Sequence, residues 1–185
     1  MKAIVLAGDK QYLTPILTTI KSILYYNQQV KIYILHQNIP SDWFHEVKIQ
    51  VERLGSLVED IFIGDVIDPE WKTQGHISPI AYARYLIPRL ITEDRVVYLD
   101  SDIIVHGDLS PLFELDLGDY SLAAVRDADG NGFNSGMLVI DSQKWREKDV
   151  TSLLFDKTVE YMSYLEQTTT EGFNGDQTIF NKVFQ

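Results

Sequence analysis

Val96-Val97-Tyr98-Leu99-Asp100-Ser101-Asp102-Ile103-Ile104-Val105 is an apolar, β-branched and aromatic run interrupted by two carboxylates one residue apart. Its first half reads as a buried strand, and open α/β sheets place their ligands beyond strand ends. Residues i and i+2 of an extended segment point to the same side. Asp100 and Asp102 are therefore expected to converge on one hard divalent cation such as Mg²⁺ or Mn²⁺. The triplet alone is weak, because a chain this rich in aspartate yields about one or two Asp-x-Asp triplets by chance. A second one, Asp127-Ala128-Asp129, is present, but only the first follows an uninterrupted β-branched and aromatic run.

On either side of this stretch, strand-like and helix-like segments alternate. Lys2 to Ala7 reads as a central strand with two buried faces, followed by a loop over Gly8-Asp9-Lys10-Gln11-Tyr12. Thr14-Pro15 has the form of an N-cap with proline at the first helical position. Leu13, Ile16, Leu17, Ile20, Ile23 and Leu24 recur at helical spacing around it. Lys31 to Leu35 is the next strand, Asp42 to Leu54 a mixed helix, and Leu57 to Ile63 another strand. After an irregular polar stretch from Asp65 to Ile77, Ser78-Pro79 opens a helix that carries Tyr82, Arg84 and Tyr85 and ends near Pro88. Ser121 to Arg126 and Met137 to Ile140 are short strands flanking a segment rich in turn formers. The chain from Asp141 onward is mostly helical. This order predicts an α/β sheet flanked by helices.

The length of 185 residues fits one domain over 1–185 with a substantial core, and 45% apolar residues fit a folded globular protein. A net charge of −11 argues against a nucleic-acid partner, which needs a Lys/Arg footprint. There is no cysteine, hence no disulfide framework and no thiolate chemistry. No stretch is long and apolar enough to span a membrane, and Ala3 to Gly8 is too short for a signal-peptide core. The expected location is the cytoplasm, with peripheral attachment at a membrane surface left open. Asp176-Gln177 opens an apolar helical pattern that no Gly, Pro or charged tail closes, so the domain is expected to be cut at its C-terminal side.

Taken together and in order, these stretches resemble the family-8 glycosyltransferases, especially bacterial general-stress-type and adhesin-glycosylating members. The resemblance is carried by Val5-Leu6-Ala7-Gly8-Asp9 with Tyr12, His76-Ile77-Ser78 with Tyr82-Ala83-Arg84, and Tyr98-Leu99-Asp100-Ser101-Asp102. It continues through Gly107-Asp108-Leu109, Phe133-Asn134-Ser135-Gly136, Lys144-Trp145 and Asp176-Gln177. It implies a GT-A fold, a Rossmann-like mixed and mostly parallel sheet. It also implies a retaining, Mn²⁺- or Mg²⁺-dependent hexosyltransferase using UDP-glucose or UDP-galactose. The partners implied are that nucleotide-sugar donor and a glycan, lipid-linked or glycoprotein acceptor, with weak self-association allowed.

The resemblance also assigns residues. Ala7, Gly8, Asp9 and Tyr12 would clamp uracil and ribose, Tyr12 being equally readable as an aromatic lid on its helix. Asp100 and Asp102 would hold the metal, with Ser101 beside the donor. Arg84 would reach the diphosphate or donor sugar, although a lone helical arginine is more often a surface residue. Asn134, Ser135 and Gly136 match a donor-contacting Asn-Ala-Gly turn, an ordinary αL turn being the plainer reading. Asp176 would hold sugar hydroxyls, or simply cap its helix, and Gln177 would lie beneath the anomeric carbon. An amide is a poor nucleophile, so front-face attack is favoured over a covalent intermediate on Gln177.

Departures from the family pattern are specific. Thr178 stands where a second Asp is usual, and Gln11 where Asn is common. The family's later His-x-x-Gly-x-x-Lys-Pro-Trp segment, whose histidine completes the metal shell, has no counterpart, and His36, His45, His76 and His106 do not match it. Weak donor binding and weak or absent activity of this chain alone are therefore expected. Lys2 to Gly8 also looks like the start of a sugar-phosphate nucleotidylyltransferase, but Asp9-Lys10-Gln11 replaces the Gly-rich basic loop. An aspartyl phosphatase fits poorly, since Ile103-Ile104 follows the second aspartate. A non-catalytic glycan- or partner-binding module is the alternative from another class.

Overall fold

The computed structural model describes residues 1–73, 75, 77–128, 130, 132–168 and 172–184. Among them, strands β1 (Lys2–Ala7), β2 (Val30–His36), β3 (Leu57–Phe62), β4 (Arg95–Leu99), β5 (Leu122–Arg126) and β6 (Phe133–Asp141) form one sheet in the order β3-β2-β1-β4-β6-β5. β1 pairs in parallel with both β2 and β4, and β2 with β3. β6 alone runs opposite, antiparallel to β4 and β5. The expected mixed, mostly parallel α/β sheet is what the chain forms.

The connection reverses at β1: the chain moves outward through β2 and β3, then returns to place β4 on the other side. Such a reversal opens a crevice at the carboxyl ends of the two strands, because the crossovers on either side lead away from it. The period of two along β1 divides the core. Ala3, Val5 and Ala7 join one cluster, packed under the 3-10 helix Pro79–Leu86 and helices α3 (Ile87–Leu90), α5 (Ser142–Glu147), α6 (Val150–Leu165) and α7 (Gly175–Val183). Ile4 and Leu6 face the other layer, with α1 (Leu13–Tyr26), α2 (Ser41–Glu52) and α4 (Ser110–Glu114).

Four local expectations are corrected. α1 begins at Leu13 with Tyr12 at the N-cap position and no side-chain cap, so Thr14 lies inside the first turn. Pro15 is tolerated there because first-turn N–H groups have no intrahelical partner. The helix opened by Ser78-Pro79 is a 3-10 helix that hands over to α3 and continues through Pro88 to Leu90. Pro88 cannot donate to the Tyr85 carbonyl, and the Thr151 hydroxyl does so instead at 2.7 Å. β6 starts at Phe133, well before Met137, so Asn134, Ser135 and Gly136 belong to a strand. Helix α4 follows the segment after Asp102 and had no sequence signal beyond Ser110-Pro111.

His36 closes β2 as a buried residue between the Phe44 and Phe62 rings. Its Nδ1 accepts from the Ile39 N–H at 3.3 Å, and its Nε2 is buried with no partner among the described residues. Burial lowers its pKa, the nearby Asp60 carboxylate opposing only in part. The folded chain therefore resists a proton that the unfolded chain accepts near the ordinary histidine value. Stability is lost as pH falls through that value. In urea unfolding between about pH 7 and pH 5, His36→Asn is expected to show a shallower loss of stability than the parent. An unchanged slope would show that His36 is not the group responsible.

Candidate donor site

The crevice between β1 and β4 holds a cavity of about 320 Å³, in the range that accepts a small organic ligand. Its wall comes from five separate parts of the chain: Ala7, Gly8, Asp9 and Tyr12 at and after the end of β1; Arg84 on the 3-10 helix; Tyr98, Asp100, Ser101 and Asp102 at the end of β4; Asn134, Ser135 and Gly136 at the start of β6; and Asp176 and Gln177 on α7. Every site residue proposed from the sequence lines this one space. Residues the sequence did not single out as site residues, among them Ile77, Ser78, Ile80, Ala81, Tyr98 and Asn174, complete it. His76 and Asp129 lie outside the described residues.

Arg84 is the centre of the arrangement, and it is not a surface residue: only 4% of it is exposed. Its Nε donates to the Ala81 carbonyl at 2.8 Å and lies 3.1 Å from Asp176 Oδ2. Nη1 donates to the Ser135 carbonyl, and Nη2 lies 3.1 Å from Asp100 Oδ1. The guanidinium also stacks over the Tyr98 ring at 4.5 Å. Its three nitrogens are each engaged by the protein, so Arg84 holds two carboxylates while also lining the cavity. Burial opposes the charge on Arg84, but Asp176, Tyr98 and Asp100 together hold its pKa above the ordinary arginine value. Burial pushes the Asp176 carboxyl up to about 6, against the pull of Arg84.

Asp176 does not cap α7; Asn174 occupies the N-cap position and Asp176 sits in the first turn, its carboxylate turned onto Arg84 and the Ser135 hydroxyl. Gln177 is fixed at both ends of its amide. Oε1 accepts from the Ser135 N–H at 3.1 Å, and Nε2 donates to Asp127 Oδ2. Asp127 belongs to the triplet that strand context set aside, and it directly follows β5, so proximity to a strand end was a sufficient signal for it. Asn181, one turn further along α7, donates to the Phe133 and Gln177 carbonyls and accepts from the Phe133 N–H, which ties α7 to the start of β6.

Asp100 and Asp102 both line the cavity, carried there by a turn and not by extended alternation. β4 stops at Leu99, and the Ile103 N–H closes back on the Asp100 carbonyl at 3.2 Å. Asp100 Oδ1 takes the Tyr98 hydroxyl at 2.8 Å and Arg84, while Oδ2 has no protein partner among the described residues. Gly136 makes room for that oxygen: a Cβ there would stand 2.6 Å from Asp100 Oδ2. Close approach, not an αL conformation, is therefore what requires glycine here, since Gly136 is not among the positive-φ residues. Asp102 is exposed and forms no ion pair among the described residues. Burial first, and then the Asp102 carboxylate, raise the Tyr12 phenol above its ordinary pKa.

Several residues assigned to the donor are engaged internally. The buried Ser101 hydroxyl donates to the Ala7 carbonyl at 2.6 Å, and the Gly8 N–H donates to Leu35. Asp9 Oδ1 accepts from the Gln11 N–H at 2.8 Å. Asn134 Oδ1 accepts from Gly136, which leaves its amide nitrogen free among the described residues. The groups open to a ligand are thus Asp100 Oδ2, Asp102, the second oxygen of Asp9, the Asn134 amide and the Tyr12 face.

The model of the family "Glycosyl transferase family 8" matches residues 3–185. Glycosyltransferase GlyD of Streptococcus pneumoniae serotype 4 is 48% identical over the whole chain, which covers 23% of that protein. Glycosyltransferase GlyE of the same organism is 41% identical, with all of this chain and 45% of the relative covered. The crystal structure of GlyE superposes with a TM-score of 0.80 at 39% identity, over 100% of this chain and 43% of that one. The galactosyltransferase LgtC, solved with donor and acceptor sugar analogs, superposes with a TM-score of 0.82 at 27% identity, over 98% and 70%. The chain thus spans less than half the length of GlyD and of GlyE.

Arg84→Met is expected to cost about 3–5 kcal/mol in urea-unfolding stability, because it leaves Asp176 buried without its cation. Arg84→Met combined with Asp176→Leu should recover most of that loss. Simple additivity of the two substitutions would contradict direct coupling.

Proposed function

The chain belongs to glycosyl transferase family 8, a family of transferases with the GT-A fold, and on that footing we propose that it carries the donor half of a retaining, metal-dependent hexosyltransferase site. The donor would be UDP-glucose or UDP-galactose, and the acceptor a glycan, lipid-linked sugar or glycoprotein. The likeness to a galactosyltransferase favours galactose among these.

The observation that carries the reading is the charge of the cavity. Asp9, Asp100, Asp102 and Asp176 line it, and Arg84 is its one cation among the described residues, already held by two of the carboxylates. A diphosphate is repelled from such a wall unless a dication accompanies it. Asp100 Oδ2 and Asp102 fit that dication as two hard oxygen ligands, with water and phosphate oxygens filling the remaining positions. Among the described residues no group of three or more His, Cys, Asp or Glu is arranged to hold a metal, so Asp100 and Asp102 are the two ligands of this reading. Bound there, Mn²⁺ or Mg²⁺ supplies Lewis-acid stabilisation of the departing diphosphate.

The chain's own residues then position the donor. Asn134 and Asp9 offer polar contacts, Tyr12 a ring face, and Gly136 lets the strand backbone approach closely. Transfer with retention breaks the bond from the anomeric carbon to phosphate and forms one from the acceptor oxygen on the same face. The acceptor proton passes to the leaving phosphate oxygen. Gln177 supports this route better than a covalent one, since an amide oxygen is a poor nucleophile and the hydrogen bond it accepts from the Ser135 N–H draws electron density from it further.

Calorimetric titration is expected to show UDP binding with Mn²⁺ present and none in EDTA. Asp102→Ala should remove the metal-dependent part, and Gly136→Ala, whose methyl group would displace the Asp100 carboxylate, should weaken it. Equal UDP binding in EDTA would overturn the metal-bridged reading. If UDP-sugar hydrolysis is detectable, Gln177→Ala should keep most of the turnover, and its complete loss would favour the covalent route.

A further inference from the structure

Residues 100–109 leave the sheet after β4 and run without regular structure to α4, yet their backbone is held closely: the Asp100 N–H donates to the Gly136 carbonyl on β6, and the side chains that hold the rest come from α1 and its C-cap residue. α1 packs its apolar stripe of Ile16, Ile20 and Ile23 under the sheet. Set into that stripe is Thr19, with no exposed surface. Its hydroxyl lies 2.9 Å from the carbonyl of Ser101 and 2.9 Å from the carbonyl of Ile103, the two residues on either side of Asp102. One turn on, the Ser22 hydroxyl accepts from the Val105 N–H at 2.9 Å and donates to the Thr19 carbonyl at 2.8 Å. At the end of the helix, Asn27 donates to the Gly107 carbonyl and accepts from the Leu109 N–H.

A valine would fill the Thr19 site with the same shape and no hydroxyl to desolvate. Burying a hydroxyl is unfavourable unless it is hydrogen-bonded, and here its proton is shared by two carbonyls with few other partners. Asp102 is exposed and forms no ion pair among the described residues, with the Tyr12 phenol beside it, so the placement of its backbone bears directly on where its carboxylate stands. That backbone is gripped at the residue before and the residue after by one atom, Thr19 Oγ1.

We propose that Thr19 is a positioning residue for the metal: its buried hydroxyl clamps the carbonyls flanking Asp102 and so fixes that carboxylate opposite Asp100. The proposal rests on the reading of Asp100 and Asp102 as metal ligands. Outer groups that orient a metal ligand typically change affinity roughly tenfold to a hundredfold when removed.

The test is Mn²⁺ titration of the chain followed by electron paramagnetic resonance in the presence of UDP, with metal-free hydrogen exchange measured on the same samples. Thr19→Val is expected to weaken Mn²⁺ binding roughly tenfold or more and to speed exchange over residues 101–105, with the β1 and β2 amides unchanged. Thr19→Ser, which restores the hydroxyl, should return both towards the parent. Should Thr19→Val not fold, Thr19→Ala against Thr19→Ser makes the same comparison. Parent-like Mn²⁺ affinity in Thr19→Val overturns the proposal while leaving the metal site standing. Equal losses in the Ser and Val variants also overturn it, by assigning the effect to packing. If the parent itself binds no Mn²⁺ with UDP, the metal reading of Asp100 and Asp102 fails and the proposal falls with it.

Discussion

One buried guanidinium organises this molecule. Arg84 has lost its water and holds Asp176 on α7, Asp100 at the end of β4, the Ser135 carbonyl on β6 and the Ala81 carbonyl on its own helix. A buried cation is tolerated only when its hydrogen bonds are met, so the chain can bury Arg84 only with all four neighbours in place. The same contacts that satisfy Arg84 set the distance between the carboxylates. The site is therefore built by a stability requirement, and the ligand-facing oxygens are those the arginine leaves over.

Sheet topology explains why these groups meet. The chain reverses direction at β1, which brings the loop after β1 and the turn after β4 to one crevice, and the lone antiparallel strand β6 presents its first residues at the same edge. Asn134, Ser135 and Gly136 thus reach the site backed by a strand ladder, not by a free loop. β6 pairs regularly with β4 only from Met137 onward, and the register shift against β5 between Ala124 and Val125 falls on residues 135–137. The site segment therefore sits at the irregular start of the strand, tied to the turn after β4 by the Asp100 N–H on the Gly136 carbonyl at 2.8 Å.

Much of this was legible in the sequence. Apolar runs at Lys2 to Ala7 and Val96 to Leu99 gave both strands that bound the crevice, and the ordered motifs placed each proposed site residue on one cavity. What sequence could not supply was the direction in which polar groups turn. Arg84 reads as a surface residue because helical periodicity says nothing of a buried pair contributed by α7. Asp176 reads as a cap because helix-start chemistry is local, whereas the arginine that claims it is remote in sequence. Asn134-Ser135-Gly136 reads as a turn because small polar residues favour turns, whereas the pairing of Phe133 and Asn134 with β5 starts the strand before them. Asp127 was visible as a triplet and undervalued, since its partner Gln177 lies far along the chain.

The separation of these parts along the chain has a consequence for synthesis. The groups around Arg84 come from Ala81, Asp100, Ser135 and Asp176, so they emerge from a ribosome in widely spaced instalments. Contacts between distant segments form slowly, because the intervening chain must be ordered first. Until α7 has been made, the nascent sheet carries an arginine whose most buried partner does not yet exist. The early strands must therefore either stay loosely packed around a solvated Arg84 or wait for Asp176. On this geometry the helix that brings Asp176 and Gln177 to the cavity also supplies the carboxylate that Arg84 needs, and a nascent chain that has not reached it lacks both.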